Sequence, residues 1–64
     1  MPLITVEGPK IDDLDRKRQM VKLLAEAASE VYGMDKENIV VLIRENSPEN
    51  VGIGGKLVAD RQAE

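Results

Sequence analysis

The sequence predicts an α/β protein: a single βαβ unit with parallel strands and a C-terminal hairpin, its sheet completed by oligomerisation. Two short aliphatic runs flank one long amphipathic segment, and a glycine cluster follows the second run. The third observation is length, because 64 residues cannot close a core around two strands and one helix. A chain this small buries only about 60% of the surface it exposes when unfolded. Without disulfides or metals, association is the usual remedy. Residues 1–64 are read as one domain, with no internal repeat.

The first strand is expected over residues 2–7, Pro-Leu-Ile-Thr-Val-Glu, stopped by Gly8-Pro9. Asp12 and Asp13 then offer side-chain oxygens to orphan helix amides, and Asp15 complements the helix dipole. No proline or glycine intervenes before Gly33. At 100° per residue, Leu14, Met20, Val21, Leu24, Ala27, Ala28, Val31 and Tyr32 share a face, opposite Arg18, Gln19, Lys22, Glu26, Ser29 and Glu30. This spacing predicts a helix of roughly 20 residues, about 30 Å long, with Gly33 as its left-handed cap.

Ile39 to Ile43 is an unbroken aliphatic run, which suits a strand covered on both faces. A strand, helix, strand order with short links gives a right-handed crossover and parallel strands. Residues 46–50 read as a loop and Val51 to Gly55 as a hairpin or bulge. The tail from Lys56 to Glu64 is amphipathic only over Leu57, Val58 and Ala59, and is expected to pack on a neighbouring copy.

Composition excludes many chemistries. The chain has 9 basic and 12 acidic residues, a formal charge of −3, and no His, Cys, Trp or Phe. Zinc sites of the usual kinds, Ser-His-Asp triads, Cys-His pairs, haem ligation and disulfides are therefore ruled out. A pI near 4.9 with interspersed charges provides no basic stripe for phosphates, so neither nucleic acid nor a membrane surface is an expected partner. The longest apolar run falls far short of the roughly 18 residues of a membrane span, and no charged segment precedes an apolar stretch at the N-terminus. A cytoplasmic location is expected.

The glycines do not make a phosphate loop. GxxxxGK[ST] needs a glycine at Asn50 and a hydroxyl at Leu57, and GxGxxG needs a glycine at Leu57. Asp12, Asp13 and Asp15 are read as caps rather than as a cation site, since calcium takes six or more shaped oxygens. Arg16, Lys17, Arg18 and Lys22 are read as a solvated helix face. No metal or cofactor is expected.

Pro2 is the sharpest feature. Removal of Met1 would leave a ring-held secondary amine at the start of a strand. An α-amino group ordinarily titrates near 8, and desolvation or a nearby cation lowers that value. Such a group suits proton abstraction beside a carbonyl.

Met-Pro before a strand, Glu7-Gly8 at its end, the long helix, Ile43-Arg44-Glu45 closing the second strand, and Gly52-Ile53-Gly54-Gly55 together resemble the 4-oxalocrotonate tautomerase family over about residues 2–57. The resemblance implies a tautomerase-like βαβ monomer, dimers sharing a four-stranded sheet, and commonly hexamers. It also implies a cofactor-independent isomerase that moves a proton within small unsaturated 2-hydroxy or 2-keto acids, with the amino-terminal proline as general base.

The residues transfer unevenly. Pro2 matches the catalytic proline. The family's first arginine falls near Lys10, which keeps the charge without the bidentate fork. A second arginine, supplied by a neighbouring subunit, falls on Val40, and the aromatic residue before the glycine segment on Val51. Losing a charge-assisted bond to a carboxylate costs roughly 1.5–3 kcal/mol, about one to two decades in rate. Arg44 lies about 13 Å along the strand from Val40 and is a poor substitute. The resemblance thus assigns substrate binding to Lys10, with Val51 and Ile53 lining an apolar pocket; Arg61, on the tail, has two readings, a solvated surface charge first and a further cation reaching a neighbour's pocket second.

Two other readings stand beside this one. The first is an oligomeric structural or partner-binding protein without the chemistry, which retention of Met1 would favour because an acylated proline nitrogen has no basicity. The second is a dehalogenase or hydratase needing a water-activating carboxylate, for which Glu7, Glu45 and Glu49 are the candidates.

Overall fold

A computed structural model describes residues 1–62. Strand β1 (Leu3–Gly8) leads into helix α1 (Leu14–Tyr32) and returns through a short 3₁₀ turn to β2 (Val40–Glu45). A second 3₁₀ turn at Pro48–Asn50 precedes the two-residue strands β3 (Gly52–Ile53) and β4 (Lys56–Leu57), and helix α2 (Val58–Gln62) follows. β1 and β2 are parallel, with Leu3 beside Val40 and Gly8 beside Glu45. β3 and β4 form the antiparallel C-terminal hairpin. The expected βαβ unit with a C-terminal hairpin is therefore present. Each long strand sits about a residue later than the composition suggested, because pairing continues through Gly8 and Glu45.

The ends of α1 follow from local chemistry. Asp13 is the N-cap and its Oδ1 accepts the Asp15 N–H at 2.9 Å. Gly33 adopts φ 66° and donates its N–H to the Ser29 carbonyl at 2.9 Å, a left-handed cap that costs glycine little. At the hairpin tip Gly54 and Gly55 take φ 61° and 82°, the two positive values of a type I′ turn.

Strand alternation separates the sheet faces. Ile4, Val6, Val41 and Ile43 are half-buried beneath α1, while Leu3, Thr5, Glu7, Leu42 and Arg44 point away and stay exposed. One chain supplies a single helix layer and so covers one face of β2; on the other face Leu42 remains 43% exposed and Leu3 59%. Leu14, Ala27, Val31 and Tyr32, placed on the apolar helix face, are also exposed, because α1 outruns a two-stranded sheet. Only Ile39 is a buried apolar residue among the described residues, at 9% exposure.

Residues 58–62 fold back on the chain's own 3₁₀ turn, where the Val58 N–H donates to the Val51 carbonyl at 2.8 Å. Val58 and Ala59 are half-buried there. Ala63 and Glu64 of the expected tail lie outside the described residues.

Candidate active site

Pro2 sits immediately before β1, half-buried, and its carbonyl accepts the Val40 N–H at 3.0 Å. Met1 projects beyond it at 89% exposure and acylates its nitrogen. The residues flanking this end of the sheet, Leu3, Ile39 and Val40, are all apolar. Lys36, in the turn leading into β2, is drawn toward Glu26 at 3.8 Å.

The opposite end of the sheet is built differently. Gly8 and Pro9 carry the chain off β1, and the Asn46 N–H donates to the Gly8 carbonyl at 2.8 Å. Beside them lies an open cleft of about 540 Å³, lined by Glu7, Gly8, Pro9, Asn46, Pro48, Val51 and Val58. Lys10 follows Pro9 at its rim, mostly exposed, and its ion pair among the described residues is a long contact to Asp12 Oδ1 at 3.8 Å. An exposed pair of this kind contributes little, so the ammonium is available to a ligand carboxylate.

Of the residues assigned from sequence, the fold brings Lys10 and Val51 to one end of the sheet and leaves Pro2 at the other. The six residues of β1 separate the ends, about 20 Å at 3.3 Å per residue. Ile53, on the hairpin, is 51% exposed and does not line the cleft. Arg61 is exposed on α2.

One polar feature escaped the sequence reading. Glu45, at the end of β2, accepts the Ile11 N–H on Oε2 at 2.7 Å and the Lys17 ammonium on Oε1 at 2.9 Å. The Ile11 N–H first, then Lys17, hold this carboxyl below the ordinary glutamate range against a small opposing effect of burial, with Lys10's charge adding a little. Lys17 is thus corrected from a solvated helix charge to a partly buried partner of β2. The topology contains the signal, since a βαβ crossover sets the start of the helix beside the end of the second strand. No cluster of metal-ligating side chains forms among the described residues, and no helix is long and apolar enough to cross a membrane.

Residues 2–61 match the family model described as "Tautomerase enzyme". The chain belongs to the tautomerase family. A probable tautomerase of Bacillus cereus is 34% identical to this tautomerase-family chain over 61 residues, covering 95% of it and all of the relative. The 2-hydroxymuconate tautomerase of Bacillus subtilis is 32% identical over 62 residues, 97% of this chain and all of that one. Among solved structures, DmpI from Archaeoglobus fulgidus is 51% identical with a TM-score of 0.83, covering 92% of this chain and 100% of its own. TomN, a 4-oxalocrotonate tautomerase homologue of the tomaymycin biosynthetic pathway, superposes with a TM-score of 0.89 at 32% identity, covering 98% and 97% of the two chains. Membership of the tautomerase family makes this chain an isomerase by kinship, and the tautomerase fold accounts for its βαβ unit and hairpin.

Proposed function

We propose that this chain is a cofactor-independent tautomerase of small unsaturated 2-hydroxy or 2-keto acids, with Pro2 as its general base once Met1 is removed. The carrying observation is the position of Pro2 in a chain of this family: half-buried at the open end of β1, beside apolar neighbours and behind a fully accessible Met1. The 2-hydroxymuconate tautomerase among the relatives supports the same substrate class. Apolar surroundings penalise the charged amine and keep the nitrogen a base near neutral pH. The ring nitrogen takes the hydroxyl proton of a dienol, the electron pair shifts through the conjugated system, and the resulting ammonium returns a proton to carbon. Nothing is oxidised or reduced.

Lys10 holds the substrate carboxylate in this reading, and Val51 lines the apolar wall. Because parallel strands set Pro2 and Lys10 at opposite ends of one sheet, one chain does not complete the site. A twofold axis beside β1 reverses the partner and brings its Gly8 to Lys10 segment opposite Pro2. The proposed assembly is therefore an oligomer of such dimers, a hexamer in the family's usual form, in which Ile53 and Arg61 face a neighbour's site.

The test is kinetic and covalent together. Mass spectrometry of the natural protein should show a chain beginning at Pro2, and a 2-hydroxydienoate assay should show turnover that Pro2→Ala lowers at least about 100-fold, the scale of a lost general base. A natural chain retaining Met1, or undiminished turnover in the variant, rejects the proline-base mechanism and leaves the partner-binding reading.

A further inference from the structure

We propose that Glu45 is a positioning residue that fixes Lys10 at the rim of the cleft, an inference that rests on the role just proposed for Lys10. Lys10 cannot place itself, because its side chain is mostly exposed and its ion pair among the described residues, with Asp12, is long at 3.8 Å. The backbone on either side places it. Upstream, the Gly8 carbonyl is tied to the Asn46 N–H at 2.8 Å. Downstream, the Ile11 N–H is tied to Glu45 Oε2 at 2.7 Å. Only Pro9, which fixes its own φ, and Lys10 lie between these ties.

Both ties come from consecutive residues at the end of β2, the strand hydrogen-bonded to β1. The second oxygen of Glu45 accepts from Lys17 Nζ at 2.9 Å, which holds the carboxylate square to the Ile11 amide and moors the first turns of α1. Asn46, the other tie, lines the cleft directly. One carboxylate thus joins the sheet, the helix start and the segment that carries the substrate-holding cation. Its lowered pKa keeps it charged through the neutral range.

The experiment separates positioning from mere stability. In the assembled, Met1-free protein, Glu45→Gln keeps an acceptor for Ile11 and loses the charge, while Glu45→Ala loses both. Glu45→Ala should raise KM for a 2-hydroxydienoate about tenfold with kcat within about twofold, and Glu45→Gln should restore most of the loss. Made in a Lys10→Ala background, Glu45→Ala should add nothing, as expected of two changes acting through one group.

Amide hydrogen exchange gives a readout independent of turnover. Exchange at Ile11 should quicken at least about tenfold in Glu45→Ala and much less in Glu45→Gln. An unchanged KM, a loss confined to kcat, or full additivity with Lys10→Ala would each overturn the proposal. A Pro2→Ala protein that remained active would instead overturn the catalytic reading, while the Ile11 exchange would still report whether Glu45 holds the segment.

Discussion

Lys10 and Pro2 show how much chemistry a single residue type determines. Lys10 carries charge but no fork, so in the proposed site it would hold a carboxylate as a point cation rather than through paired, coplanar bonds. Lys10→Arg should lower KM for a 2-hydroxy acid about three- to tenfold, with kcat within about twofold, in steady-state assays. An unmoved KM would place the carboxylate elsewhere. Both residues are singled out by sequence as candidates because they belong to an ordered series, Met-Pro, Glu-Gly and a cation within a few positions. The bond between Glu45 and the Ile11 amide was not legible, since 34 residues separate the partners and only the closed crossover joins them.

At the scale of elements, the helix was the most legible part. Its length, its aspartate cap and its glycine stop all followed from local rules, and α1 runs from Leu14 to Tyr32 as those rules require. Gly33 offers a clean test, because a Cβ there meets nothing within 4 Å and the penalty is that of a left-handed backbone alone. Gly33→Ala should destabilise by about 1–2 kcal/mol in denaturant titration. A much larger loss would mean that Gly33 packs against another copy. Half of the apolar helix face stays exposed in one chain for a related reason: periodicity reports which side chains seek cover, while the width of the sheet decides which of them one chain can cover.

The whole molecule is a slab. Its radius of gyration is 15.2 Å and its extents 46 × 25 × 13 Å, against a radius of about 11 Å for a compact chain of this length. It exposes 5216 Å², some 1,100 Å² above the roughly 4,100 Å² usual for its mass. The excess exceeds one partner's share of a standard interface, about 800 Å². The sequence foretold this need for cover from length alone, but hydropathy carries no information on the angle at which a second copy docks.

The proposed division of each site between chains makes a prediction of its own. Pro2→Ala and Lys10→Ala proteins, each lowered in turnover at limiting substrate, should regain it when unfolded together and refolded as a mixture, since a mixed dimer holds one site with both residues intact. Mixtures no more active than their parents would mean that base and cation belong to different sites.

Strand β1 acts on this view as a ruler. Its two ends contribute to two neighbouring sites, so those sites sit about one strand length, about 20 Å, apart. Two substrate mimics joined by a tether of that reach would engage both pockets at once, and would gain avidity over either half through effective concentration alone.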